Sequence, residues 1–165
     1  MLSYIPLIWE ESFLDYPESK GPALVLYLSG CEHKCIGCQN LNLQKQLIDN
    51  ISAEQIEQYL IEVKKLIKKG EYKYIVLSGG DPLYKNNLNC TKALLKMIIK
   101  NNLEFIVYTG YEYNKVSILI PEFFDFGYFK CGKYIKGANT KKFKNIDYEL
   151  ASENQKLFRY GKEVN

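Results

Sequence analysis

The sequence predicts an α/β fold with a mostly parallel sheet, and three observations support this class. Apolar runs of strand length alternate with stretches of helical periodicity over the first two thirds of the chain. The first of these runs, residues 22–29, is almost entirely apolar, as expected for a central strand that is covered on both faces. Three runs end in serine or threonine followed by glycine, and turns at the carboxyl ends of parallel strands form binding sites.

Length and composition indicate one soluble globular domain. A chain of 165 residues can bury its own core, so we expect residues 1–165 to form a single domain. The net charge of +3 is too small to indicate a nucleic-acid partner, and the lysine pairs at 64–65 and 68–69 fit the solvated face of a helix. No signal peptide and no membrane-spanning run is visible. Clustered cysteines without a signal peptide favour a reducing cytoplasm, with no membrane partner.

The elements follow one another in a simple order after the first strand. Ser52 and Gln55 form a capping box that opens a helix, and Gly70 closes it. The pattern then predicts, in order, a strand over 73–78, a helix over 88–101, a strand over 104–109, a weaker helix up to Pro121, a strand over 124–130 and a short strand within 155–160. Residues 1–20 are mixed, with a turn at 12–17, and residues 133–144 are expected to form a loop or an irregular hairpin.

Three cysteines, Cys31, Cys35 and Cys38, lie within eight positions directly after the first strand. Three thiolates suit a [4Fe–4S] cluster with one iron left open, whereas four would close the cluster. The alternative is a zinc site completed by His33 or by a distant cysteine. His33 lies only two residues from Cys31 and from Cys35, which is awkward for a histidine that has to complete a tetrahedral site. The remaining two cysteines, at 90 and 131, are expected to act as small buried hydrophobes.

The turn Gly79-Gly80-Asp81-Pro82 follows the second strand, and Thr109-Gly110 follows the third. Glycines let a ligand approach the backbone closely, so these turns are candidate cofactor-binding residues. By itself, the first turn would also fit an ordinary strand-to-helix connection. Gly37 and Gln39 bracket Cys38, so their backbone is a further candidate for cofactor contact.

Several strings of the chain, taken together, resemble the radical S-adenosylmethionine (SAM) superfamily, and more narrowly the activating enzymes of anaerobic ribonucleoside-triphosphate reductase. They are residues 29–40 (SGCEHKCIGCQN), 77–83 (LSGGDPL), 108–111 (YTGY), and the weaker stretches 125–132 and 152–155. The chain departs from the family at Ile36, where proline is usual, at Gln39, where an aromatic residue is common, and over residues 15–20, where a glycine-proline-glycine stretch is replaced.

The resemblance implies a partial (β/α) barrel and assigns residues to two cofactors. Cys31, Cys35 and Cys38 would hold a [4Fe–4S] cluster whose open iron takes the amino and carboxylate groups of SAM. Gly79, Gly80, Asp81 and Pro82 would line the methionine end of SAM. Thr109 and Gly110 would flank the cofactor, and Gly37, Cys38 and Gln39 would contact its adenine or methionine part. No catalytic residue beyond these ligands is expected.

The resemblance also implies an activity and its partners. The reduced cluster would cleave SAM, and the resulting 5′-deoxyadenosyl radical would take a hydrogen from a glycine on the large reductase subunit. A low-potential donor such as flavodoxin or ferredoxin would supply the electron, and residues 133–144 and 152–160 are candidate docking segments. Two alternatives stay open: another small radical-SAM enzyme, acting on a different glycyl-radical enzyme or a small molecule, and a zinc-binding interaction module.

Overall fold

A computed structural model describes residues 5–165 of the chain. Its nine strands are β1 (Ile8–Ser12), β2 (Ala23–Leu28), β3 (Tyr74–Gly79), β4 (Glu104–Thr109), β5 (Tyr128–Cys131), β6 (Lys141–Lys142), β7 (Glu149–Leu150), β8 (Lys156–Arg159) and β9 (Lys162–Glu163). Its α-helices are α1 (Ala53–Gly70), α2 (Leu88–Lys100) and α3 (Tyr113–Leu119), and short 3-10 helices cover Leu41–Leu43 and Pro121–Phe126.

Seven strands form one mixed sheet in the order β1-β2-β3-β4-β5-β8-β9, and β6 and β7 form a separate hairpin. The four central strands, β2 to β5, run parallel to one another, while β1, β8 and β9 pair antiparallel at the two flanks. Each parallel connection passes through a helix, as parallel pairing requires. The prediction of an α/β fold with a mostly parallel sheet is therefore confirmed.

Both faces of the central strands are buried, which explains why β2 is apolar at nearly every position. Leu24 and Leu26 face a core that also contains buried side chains of α1, α2 and α3. Ala23 and Val25 point to the opposite face, where a second core includes Tyr16 and the hairpin residues Tyr148 and Leu150. The second face is thus covered by a loop and a small hairpin rather than by helices, and this cover borders the cavity described below.

The predicted capping box at the start of α1 is present. The Gln55 amide donates to Ser52 Oγ at 3.2 Å, and the Ser52 amide donates to Gln55 Oε1 at 2.8 Å. Gly70 is the last residue of the helix, and Glu71 follows in the left-handed conformation with φ of 52°. None of the helices within residues 5–165 is long and apolar enough to cross a bilayer.

Two predictions about the flanks need correction. Residues 8–12 form the edge strand β1 rather than mixed structure, and residues 1–4 lie outside the described range. The sequence pattern does not reveal β1, because this strand carries exposed glutamates and lacks apolar alternation. The predicted strand over 124–130 begins only at Tyr128, since the preceding aromatic run belongs to the 3-10 helix that Pro121 opens. The basic stretch 133–144 is mainly a loop, as predicted, and it contributes β6 to a hairpin whose second strand lies at 149–150.

Candidate functional site

A cavity of about 860 Å³ lies at the carboxyl ends of the parallel strands. Its wall includes residues from all three predicted turns: the three cysteines after β2, Gly79 and Gly80 at the end of β3, and Thr109 and Gly110 at the end of β4. The opposite wall comes from residues 13–19 and from the segment around the β6–β7 hairpin. The expected convergence of the three turns on one edge of the sheet is therefore present.

The cysteine loop, residues 31–38, is attached at its base by two backbone hydrogen bonds. The Gly30 amide donates to Leu43 O at 2.8 Å, and the Cys31 amide donates to Gln44 O at 3.0 Å. Within the loop, the Cys38 amide donates to Cys35 O at 3.3 Å. All three thiols are partly exposed and line the cavity, so the folded chain presents them to one shared space.

The environment of Cys31 differs from that of an exposed thiol. Burial raises the pKa of Cys31, and the His33 amide, which donates to Cys31 Sγ at 3.5 Å, partly offsets this effect. Without a metal the thiol is therefore the favoured form at neutral pH. Metal binding displaces the proton, since only the thiolate acts as a ligand.

Three thiols on one loop border the cavity, and this arrangement bears on the choice between a zinc ion and an iron–sulfur cluster. Zinc needs four ligands at about 2.0–2.3 Å from one point, whereas a [4Fe–4S] cluster takes one thiolate at each of several irons. Three thiols spread along a loop at the wall of an open cavity match the second requirement.

The candidate fourth zinc ligands differ in their surroundings. The His33 ring is hydrogen-bonded to Asp81, with Nε2 and Oδ2 2.6 Å apart, which leaves Nδ1 as the ring nitrogen open to a metal. Cys90 and Cys131 are buried in the core and are not part of the cavity wall. Burial raises the pKa of each of these two thiols to about 12, so both stay protonated at physiological pH. They have the environment of the small hydrophobes that the sequence predicts.

Asp81 joins the three turns from behind the cavity wall. Its Oδ2 accepts hydrogen bonds from His33 Nε2, from Thr109 Oγ1 at 2.9 Å and from the Gly110 amide at 2.9 Å. Its Oδ1 accepts the Leu83 amide at 2.8 Å. The residue is 1% exposed and does not line the cavity. This carboxylate therefore links the cysteine loop to the ends of β3 and β4.

The remaining predicted cofactor-binding residues differ in whether they line the cavity. Pro82 is buried behind the wall, where its carbonyl oxygen accepts the Thr91 hydroxyl at 2.5 Å. Gln39 is exposed and lines the cavity. Gly37 does not line it: a Cβ at this position would lie 2.7 Å from Lys136 Cδ, so the absent side chain makes room for residue 136.

Glycine is required at positions 79 and 80 because the backbone of Leu28 and Gly30 lies too close for a side chain. Both glycines also line the cavity. Gly79 has φ of 121°, and a Cβ there would lie 2.4 Å from Leu28 O. A Cβ on Gly80 would lie 2.4 Å from Gly30 O. The turn after β3 thus packs directly against the backbone that leads into the cysteine loop, and only glycine permits this approach.

Two features of the site have no signal in the sequence. The first is the bond between His33 and Asp81, which joins residues 48 positions apart. The second is Lys130, which lines the cavity with its Nζ 4.0 Å from the ring centroid of Tyr108. Burial lowers the pKa of Lys130 to about 8. Neither contact could be found from spacing, because both depend on how neighbouring strands are paired.

The fold and the site together define an α/β domain that carries three candidate cysteine ligands on one loop at the edge of a parallel sheet. The chain matches the family model described as "4Fe-4S single cluster domain" over residues 18–156. Since this match spans most of the chain, the protein belongs to that family. No solved structure matches the chain.

Several relatives carry the name anaerobic ribonucleoside-triphosphate reductase-activating protein. The protein of this name from Enterobacteria phage T4 is 27% identical over 151 residues, which is 87% of this chain and 88% of the relative. Those from Salmonella typhimurium and Escherichia coli K12 are 28% and 27% identical over 109 and 112 residues, each covering 63% of this chain and 68% of the relative. The resemblance to radical-SAM activating enzymes is thereby confirmed.

Proposed function

We propose that this protein is a radical-SAM activase that generates a glycyl radical on anaerobic ribonucleoside-triphosphate reductase. The observation that carries the proposal is the joint cavity wall of three cysteine thiols and the glycine turns of two parallel strands. Three thiolates leave one iron of a [4Fe–4S] cluster free for a cofactor. The relatives named as activating proteins for this reductase supply the choice of partner.

In this proposal the residues of the chain bind and orient, and the cofactors supply the reactive chemistry. Cys31, Cys35 and Cys38 hold the cluster, and Gly79 and Gly80 offer backbone to the methionine end of SAM. When bound, the reduced cluster and SAM would supply the radical chemistry that removes a hydrogen atom from a glycine Cα of the partner.

The remaining cavity wall supports the same proposal. Thr109 and Gly110 flank the cofactor, Gln39 is an exposed contact near Cys38, and Lys130 contributes positive charge that suits a carboxylate-bearing ligand. Gly37, Asp81 and Pro82 lie outside the wall, so we assign them to shaping the turns rather than to direct contact. With this assignment, backbone and thiols make most of the cofactor contacts.

A macromolecular substrate agrees with the shape of the cavity. At about 860 Å³ the cavity is at the upper end of the range for small-molecule sites, so it has room for a cofactor and a further segment of chain. A loop and a small hairpin form its far wall, and residues of the two proposed docking segments, 133–144 and 152–160, also line the cavity, among them Tyr134 and Gln155. We propose that the sheet curves as a partial (β/α) barrel of one domain and that the partner's glycine enters from this side.

The proposed electron donor is a low-potential protein such as flavodoxin or ferredoxin, acting in the cytoplasm. A donor is needed because each reductive cleavage of SAM would consume one electron, which the cluster would have to regain from outside the chain. A reducing compartment also keeps the clustered thiols available for iron.

The test is electron paramagnetic resonance on anaerobic protein mixed with SAM, reductant and the reductase from the same cell. We expect brown protein with about four irons per chain, SAM cleavage, and a doublet signal that collapses when the reductase glycine carries α-deuterium. Colourless protein with one zinc would contradict the cluster. SAM cleavage with no protein radical, together with turnover of a small metabolite, would indicate a different radical-SAM enzyme.

A further inference from the structure

His33 and Asp81 form a buried hydrogen bond between the cysteine loop and the turn after β3. Nε2 and Oδ2 are 2.6 Å apart, and the two side chains are 7% and 1% exposed. We propose that His33 is a positioning residue, whose bond to Asp81 holds the cysteine loop in place relative to the two glycine turns that line the cavity. This inference rests on the proposed function, because it concerns how the site aligns cluster and SAM.

The carboxylate of Asp81 binds groups from several segments of the site. Its two oxygens already accept four hydrogen bonds from within the chain, three of them at Oδ2. Since a carboxylate offers about four lone-pair sites, little capacity remains for a cofactor. Of these four bonds, only the one from His33 comes from within the cysteine loop. The residues that flank the loop are bound to the same turn, since the Asp81 amide donates to Gly30 O at 2.8 Å and Asn40 Nδ2 donates to Gly79 O at 3.1 Å. The bond from His33 therefore holds the middle of the loop, whose two ends are already attached.

The other contacts of His33 are with Tyr111 and with Cys31, a proposed cluster ligand. The ring packs edge-on against Tyr111, with centroids 4.5 Å apart, and its backbone amide donates to Cys31 Sγ at 3.5 Å. A change in ring position would therefore also move an N–H group that faces a cluster thiolate. Hydrogen bonds to cluster sulfurs are one of the factors that set reduction potential. A structural contact remote from the cluster would not have this effect.

Gly110 offers an independent way to disturb the same bond. A Cβ at this position would lie 2.4 Å from His33 Cδ2, and its φ is not in the left-handed region that favours glycine. Gly110→Ala should therefore act by pushing the His33 ring away from Asp81. If it acts in this way, adding Gly110→Ala to a chain that already carries His33→Ala should cause little further change.

The experiment compares His33→Ala, His33→Gln, Gly110→Ala and the double alanine variant as cluster-loaded protein. The measurements are iron content, SAM dissociation constant, and the midpoint potential of the cluster followed by electron paramagnetic resonance. Tyr111→Phe is the matched control, because it keeps the ring against His33 and removes only the exposed bond to Glu32.

We expect His33→Ala to bind SAM about tenfold more weakly, as for the loss of a hydrogen bond to a charged group. Its midpoint potential should fall, since a displaced N–H dipole no longer stabilises the added electron. His33→Gln, whose amide can donate from a position similar to Nε2, should recover most of both properties. Tyr111→Phe should bind SAM within about twofold of the wild type.

The outcomes separate this inference from the proposed function. If the wild type neither binds nor cleaves SAM, the proposed function fails and the inference falls with it. If the wild type cleaves SAM but His33→Ala keeps its SAM affinity and potential, the inference alone is overturned. Equal losses in His33→Gln and His33→Ala would also overturn it. Because Gly110 itself borders the cavity, its variants are compared by midpoint potential and not by SAM affinity, and additive shifts of the potential in the double variant would likewise overturn the inference. Should His33→Ala fail to fold, a Gly110→Ala protein with the potential of the wild type would overturn it.

Discussion

The five cysteines of this chain fall into two groups with opposite surroundings. Cys31, Cys35 and Cys38 are partly exposed on one loop and line the cavity at the carboxyl edge of the sheet. Cys90 and Cys131 are buried in α2 and at the end of β5, where burial raises the pKa of each thiol to about 12. The same side chain is thus a candidate ligand in one place and a small apolar core residue in the other.

The difference shows what makes a cysteine available for a cluster in this fold. The triplet follows a parallel strand at its carboxyl end, where loops leave the core and face a shared space. The buried pair lies within elements of the core, where Cys90 is 0% and Cys131 2% exposed. The predictions below test whether this contrast in surroundings decides the chemistry of each thiol.

The largest expected effect is the loss of any one cysteine of the triplet. Cys31→Ala, Cys35→Ala and Cys38→Ala each leave two thiolates for the cluster, so we expect loss of stable iron binding and of SAM cleavage by dithionite-reduced protein. Iron content, visible absorption and 5′-deoxyadenosine formation are the measurements. Cys90→Ala and Cys131→Ala are matched controls and should retain all three properties. A fully active Cys35→Ala protein would show that the triplet is not the ligand set.

The next effect concerns thiol alkylation in the metal-free protein. At pH 8 a thiol with a pKa of about 12 is ionised in about one molecule in ten thousand, whereas an ordinary thiol is ionised in roughly a quarter. Cys31, Cys35 and Cys38 are partly exposed, so iodoacetamide should modify them, with Cys31 reacting more slowly because burial raises its pKa. Cys90 and Cys131 should stay unmodified, as judged by peptide mass spectrometry. Cluster loading should then protect the triplet. Rapid labelling of Cys90 in folded protein would contradict the contrast.

A smaller effect is expected for Gly80, which keeps the triplet at the cavity. A Cβ at Gly80 would lie 2.4 Å from Gly30 O and 2.5 Å from Leu43 O, so Gly80→Ala must displace the base of the cysteine loop. Overpacking of this kind costs about 1–3 kcal/mol of unfolding free energy. We expect weaker SAM binding together with reduced iron loading, because the displaced backbone leads directly into Cys31.

The matched control for this prediction is Gly21→Ala, where a Cβ would meet nothing within 4 Å. It should differ from the wild type by no more than about 0.5 kcal/mol in unfolding free energy. If Gly79 and Gly80 served only to bind SAM, substitutions there would weaken SAM binding and leave the cluster intact. The close contact of Gly80 with Gly30 predicts a loss of iron as well. Normal iron content in Gly80→Ala would contradict this prediction.

Local sequence patterns predict the central elements of the molecule but not its edge strand or its contacts between loops. The central strands, the capping box at Ser52 and the meeting of the cysteine and glycine turns all follow from local periodicity and from the geometry of parallel sheets. The edge strand β1 does not, since its exposed glutamates hide its pairing with β2. Contacts such as His33 with Asp81 depend on side-chain placement across loops that sequence periodicity does not describe.

The smallest expected effect is the change in unfolding free energy caused by Cys90→Ala, and the sign of this change depends on pH. At pH 8, Cys90→Ala should lower the unfolding free energy of the metal-free protein by about 1 kcal/mol, because it removes packed volume from the core. The Cys90 thiol has its pKa raised to about 12 in the folded state, against about 8.5 when unfolded. Between these values the unfolded state loses its proton first, so the wild type loses stability as pH rises.

Between pH 8 and pH 10 the wild type should lose about 2 kcal/mol of unfolding free energy through ionisation of the Cys90 thiol in the unfolded state. Cys90→Ala has no thiol at this position, so it should not show this loss. The variant should therefore be less stable than the wild type at pH 8 and no less stable at pH 10. Urea unfolding at both pH values, anaerobic and with reductant, measures the difference, and the buried tyrosines that also titrate cancel between the two proteins. A destabilisation that stays constant from pH 8 to pH 10 would mean that the Cys90 thiol ionises as readily in the folded chain as in the unfolded one, and the contrast with the triplet would then lose its electrostatic basis.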